Sequence, residues 1–253
     1  MPAAILARSI LLEARRGGLP WLAVASIAAG LGLAAFLSQV ALTESRALQT
    51  ALLAALLRAC AVFLIATQVA ASTLREINDK GLEQMLSLPV SRGSQYLGRL
   101  AGYAACGAAL SLAFSLVLLP WASPGAVALW GLSLAGETAL VAAAALFFAM
   151  TLTQIVPALA ATGGLYLLAR SMSAIQAIAT GPGVDESTAS TVARFCVDAI
   201  ALLLPRLDSV TRSEWLLYGL PPVGAAASAL ASLALYACLL AAAGLFDFHR
   251  RNF

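Results

Sequence analysis

Apolar residues run along this chain in unbroken stretches separated by short polar breaks. Six runs stand out, at about residues 20–41, 51–73, 99–119, 127–150, 155–176 and 223–246. Each is near the ~20 residues that a helix needs to cross a bilayer. A membrane β-barrel would alternate apolar and polar positions over segments of about ten. The continuous runs therefore predict helical spans, which satisfy their own backbone in lipid. Trp21, Trp121 and Trp130 fall at expected span ends, where an aromatic belt would sit.

Three segments break the pattern. Residues 1–19 place Ile5, Leu6, Ile10 and Leu12 toward one side and Arg8, Arg15 and Arg16 toward headgroups. That spacing predicts an amphipathic helix lying in the interface, and "GGLP" breaks it before the first span. The opening is too interrupted by charge to be a cleaved leader. A long loop, 177–222, separates the last two spans. Its stretch 192–204 is apolar, but thirteen residues are too few to span and Asp198 interrupts them. One or two helices at the outer interface are expected there, with a re-entrant segment as the alternative. The third segment is the polar island "REINDKGLEQMLSLPVSRGSQYLGRL", residues 75–100, which holds the only lysine, Lys80. Ile77, Leu82, Met85 and Leu86 share one helical face, Pro89 ends that helix, and Ser91 is placed to cap the next.

Composition agrees with the pattern. Of the 253 residues 61% are hydrophobic and only 11% are charged, against about 25% charged in an average soluble domain. Mean hydropathy is +0.91. The reading is an all-α polytopic membrane protein: an N-terminal interfacial helix over 1–19, then a six-span domain over 20–253. Arginine and lysine set its orientation. With both termini cytoplasmic, that side collects Arg8, Arg15, Arg16, Arg75, Lys80, Arg92, Arg99, Arg250 and Arg251, as the positive-inside rule requires. Residues 75–98 are then cytoplasmic and 177–222 lie outside.

Residue counting sets several chemistries aside. His249 is the only histidine, so neither a two-His metalloprotease nor a Ser–His intramembrane protease can be built. Cys60, Cys106, Cys196 and Cys238 lack metal or redox spacing. No catalytic or metal-ligating set is expected. The basic residues form no stripe for nucleic acid. A P-loop needs Gly-Lys-Ser/Thr, but Lys80 sits between Asp79 and Gly81. ATP cannot bind this sequence in that manner.

Two charges lie inside spans. Arg58 is about a third of the way along the second, and Glu137 is near the middle of the fourth. Each costs roughly 2.5–3.5 kcal/mol to insert alone. Opposite signs at similar depth predict either a helix–helix ion pair or the lining of a translocation route.

The island resembles the segment between the second and third spans of ABC type-2 exporter permeases. The matching residues are Glu76, Lys80-Gly81-Leu82-Glu83, Met85-Leu86, Pro89-Val90-Ser91-Arg92 and Tyr96-Leu97-Gly98-Arg99. The departure is a missing threonine, so that Leu82 follows Gly81 directly. The stretch "LLPRLDSVTRSEWLLYG" is loosely similar to permeases of multicopper-enzyme maturation systems. The resemblance implies a coupling helix within 75–98, with Glu76, Lys80, Glu83 and Arg92 as charged contacts to an ATPase. It implies pairing with a second copy and with two ATPase subunits that bind ATP and Mg. It also implies a bacterial inner-membrane location, with this chain holding no cofactor and no catalysis of its own. Two alternatives stay open. One is a mechanotransmitting permease acting on lipid or a periplasmic partner without a pore. The other is an ATP-independent membrane assembly factor.

Overall fold

The computed structural model describes residues 2–40, 45–79, 91–179, 188–205, 207–210, 214–217 and 219–250. Among them every regular element is a helix: α1 (Pro2–Arg16), α2 (Leu19–Val40), α3 (Ser45–Asn78), α4 (Arg92–Leu118), α5 (Pro124–Leu152), α6 (Ile155–Ala179), α7 (Thr188–Leu203), α8 (Leu207–Val210), α9 (Glu214–Leu217) and α10 (Val223–Arg250). Six of these, α2 to α6 and α10, are long and apolar enough to cross a membrane.

Local chemistry sets the breaks. Gly18, at φ +90°, turns the chain between α1 and α2 in a conformation that disfavours a Cβ. Ser91 is extended and its hydroxyl accepts the Ser94 N–H at 3.4 Å, capping α4. Pro124 opens α5, where its missing N–H has no helical partner to lose. Thr153, left-handed at φ 52°, closes α5. Only Gln154 then intervenes before α6.

α5 is the central helix. Within its apolar stretch 67% of residues are buried, against 17% in α2 and in α10. Its main partner is α4, and small residues bring the two together. A Cβ on Gly107 would stand 2.6 Å from Thr138 Oγ1 and 2.9 Å from Thr138 Cβ. α1 packs on α4 at Gly102, beside Ala7 and Ile10, and buries Ile10 and Ala14. Trp130, Phe114, Leu53 and Leu57 fill the core among α3, α4 and α5.

Two features depart from expectation. α3 has 34 residues, or about 51 Å at 1.5 Å per residue, well beyond a ~30 Å hydrocarbon core. It carries Arg75, Glu76 and Asn78 as a continuation of the span, not as a separate helix. The rest of the expected coupling helix, 80–90, lies outside the described residues. The chain after α7 also reaches back into the bundle. Leu204, Leu207 and Val210 are buried with Leu140 of α5, Met172 of α6 and Leu233 of α10. Leu140 is sixteen residues from Pro124, about 24 Å along α5. Pro205 and Leu207 therefore pack beside the middle of α5 and against α6.

Candidate functional site

The polar residues gather at two levels. The first level is inside the bundle. α3 supplies Arg58, α5 supplies Trp130, Ser133 and Glu137, and α6 supplies Tyr166 and Arg170. Spacing aligns each set, since residues three, four or seven apart share a helix face. Arg58 Nη1 forms an ion pair with Glu137 Oε2, and Nη2 donates to Ser133 Oγ at 3.0 Å. Ser133 donates its own proton to the Trp130 carbonyl at 2.7 Å, which leaves its lone pairs for Arg58. The guanidinium carbon lies 5.0 Å from the Trp130 ring centroid, a cation–π distance. The second carboxylate oxygen accepts from Tyr166 Oη at 2.8 Å. Arg170 donates to Tyr166 Oη at 3.3 Å and stands 3.9 Å from Glu137 Oε1.

Arg58 is 1% exposed and Glu137 0%. Pairing with added hydrogen bonds is what makes such burial tolerable. The network ties α3, α5 and α6 through one carboxylate shared by two guanidiniums. Its chemistry is charge compensation and orientation of hydrogen bonds.

The second level is at the end of the bundle where α3 stops and α4 starts. Arg99 of α4 is 2% exposed and pairs with Glu76 of α3 at 2.5 Å. Ser72 donates to Glu13 of α1 at 2.9 Å, and Tyr103 and Thr73 hydroxyls meet at 3.4 Å. The α10 terminus joins this end. Thr151 donates to Asp247 at 3.2 Å, and Arg92 donates to the His249 carbonyl at 3.4 Å.

The sequence candidates are thus distributed. Arg58 and Glu137 meet. Glu76 points to Arg99 between two helices instead of standing free on a surface. Arg92 opens α4 near the α10 terminus. Lys80 and Glu83 lie outside the described residues. Sequence reading missed Ser133, Tyr166, Arg170 and Trp130. The signal for three of them was their spacing: Trp130 and Ser133 share the Glu137 face, and Arg170 is one turn from Tyr166. Trp130 is also a correction. It is 0% exposed beneath Arg58, not at an aromatic belt, whereas Trp21 is 79% exposed. Among the described residues no three His, Cys, Asp or Glu side chains gather to hold a metal.

Comparison with protein-family models and with curated proteins finds no match to this sequence.

Proposed function

We propose that this chain is the membrane permease subunit of an ATP-driven ABC type-2 exporter, coupling hydrolysis by a separate ATPase to movement across a bacterial inner membrane. The observation that carries the reading is the segment Lys80-Gly81-Leu82-Glu83, Pro89-Val90-Ser91-Arg92, Tyr96-Leu97-Gly98-Arg99, set between the second and third apolar helices. Three further features support it. The sequence has no nucleotide loop of its own, so the ATPase is another polypeptide. The positive-inside balance puts both termini and 75–98 on the cytoplasmic side. The first helix, with its arginines and its Ile5, Leu11 and Leu12 exposed, suits a place in the headgroup layer.

In this reading two copies pair, and each docks one ATPase subunit holding ATP and Mg. The docking segment would seat its apolar residues in a groove of the ATPase while its charges fix register. The Glu76–Arg99 pair clamps the two helices that flank it, so a push on the segment moves α3 and α4 together.

One observation favours the alternative of a mechanotransmitter without a pore. Between α5, α6, Pro205 and Leu207 the described side chains leave a void of only about 10 Å³, and the Arg58–Glu137 network fills the adjoining level. Transport by reconstituted complex, measured in sealed vesicles, separates the two.

The test of docking is a reversal of Lys80→Glu with Glu83→Arg, which touches none of the described contacts. The variant is expected to insert normally and to lose co-purifying ATPase in mild detergent. Wild-type co-purification together with wild-type activity in cells would overturn the docking assignment. ATP hydrolysis by the pure chain would overturn the permease reading as a whole.

A further inference from the structure

A cleft of about 870 Å³ opens between α7 and α10, lined by Asp198, Trp215, Pro222, Ser228, Ser232 and Tyr236 among others. It lies at the bundle end that carries the α4–α5 turn, where Leu220 approaches Gly125. Its volume is in the range of sites for small organic ligands.

The carboxylate and the two serine hydroxyls of its walls present acceptor oxygens to it. Asp198 takes one hydrogen bond on Oδ1 from Gln176 Nε2 at 3.1 Å, which leaves Oδ2 open to a second donor. Ser228 donates to the Ala225 carbonyl at 3.0 Å, and Ser232 to the Ala229 carbonyl at 2.7 Å. Each hydroxyl proton is therefore turned into its own helix, and the lone pairs remain for the cleft. Tyr236 donates to the Leu202 carbonyl at 2.9 Å, so its ring is held as a wall. Among the described residues that line the cleft none is lysine or arginine. Arg194, one turn before Asp198, donates Nε to the Ala179 carbonyl at 2.8 Å. An anion would find no charged donor among these described residues. A cation would find a carboxylate, two hydroxyl oxygens and two aromatic rings.

The remaining lining is apolar, with Ala201, Leu202 and Pro221 beside the polar wall. Leu202 of the lining is 82% exposed, and Phe195 and Val223, near Asp198 and Pro222 in sequence, are 75% and 84% exposed. Such exposed apolar residues suit entry from lipid, not from water.

We propose that this cleft binds an apolar molecule carrying a single positive charge, with the charge on Asp198 and the body against Trp215 and Tyr236. The site is independent of any ATPase partner, and its test uses the purified chain alone.

The experiment is equilibrium dialysis of radiolabelled tetraphenylphosphonium against the full chain in uncharged maltoside micelles. Saturable binding of one cation per chain is expected. Tetraphenylborate, of the same shape and opposite charge, is expected not to compete. Tetramethylammonium, which has the charge without the apolar body, is expected not to displace the probe at equal concentration. Asp198→Asn should weaken binding about tenfold or more. Ala225→Phe, which fills the cleft from the α10 side and leaves the carboxylate in place, should abolish it. Both variants are first checked for an unchanged elution profile and melting temperature. Equal competition by tetraphenylborate, or wild-type binding by Asp198→Asn, would overturn the charge assignment. Equal displacement by tetramethylammonium would overturn the requirement for an apolar body. Wild-type binding by Ala225→Phe would place the probe elsewhere and end the proposal.

Discussion

Arg58 of α3 and Glu137 of α5 form an ion pair in the bundle interior, 79 residues apart in sequence and both essentially without solvent exposure. Ser133, Trp130, Tyr166 and Arg170 complete their surroundings. The pair explains how a membrane bundle tolerates two charges at depth.

Removing one member leaves the other uncompensated. Arg58→Ala and Glu137→Ala are each expected to destabilise the fold by about 3–5 kcal/mol. The double replacement should recover part of that loss, because no orphaned charge remains. Unfolding in mixed micelles, read as a double-mutant cycle, measures the coupling. Strictly additive losses would show that the two side chains do not depend on each other.

Glu76 has a different standing. Its side chain is 30% exposed and paired with buried Arg99. Glu76→Gln should cost about 1–2 kcal/mol, discounted for its partial exposure. The exchange Glu76→Arg with Arg99→Glu should restore much of what either reversal loses alone. If Glu76→Gln instead kept its stability and shed the ATPase, the residue would serve docking and not the α3–α4 pairing.

Close approach of α4 and α5 makes a prediction about size. Gly107→Ala would drive a Cβ against Thr138 Cβ at 2.9 Å, a contact that rotating the side chain cannot relieve. A loss of about 1–3 kcal/mol is expected from overpacking. Gly32 has nothing within 4 Å of an added Cβ, so Gly32→Ala should be neutral or stabilising by up to about 1 kcal/mol. Melting temperatures of the two variants in one detergent make the comparison.

Orientation is open to chemistry. Cys196 is exposed on α7, and Cys106 is buried. With both termini cytoplasmic, an impermeant maleimide should label Cys196 from outside intact cells and leave Cys106 unmodified. A cysteine placed at position 80 should react only after permeabilisation. The opposite pattern would invert the topology.

Sequence alone was enough for the six long helices, because a run of apolar residues in lipid has few other ways to satisfy its backbone. The Ser91 cap and the Gly17–Gly18 break were also legible, since each acts through its own few residues. The meeting of Arg58 and Glu137 was half legible: opposite charges at similar depth need partners, yet a route lining was a second solution. Tertiary packing decided the rest. The rotation of each helix about its axis turned Trp130 inward and brought Tyr166 and Arg170 to Glu137, and a rotation leaves no trace in a run of apolar letters. Arg75 to Asn78 read as the start of a loop helix, because polarity marks where lipid ends and not where a helix ends. The seat of Leu204, Leu207 and Val210 depended on the space left between α5, α6 and α10. That space is a property of three packed helices, and no local segment of the chain encodes it.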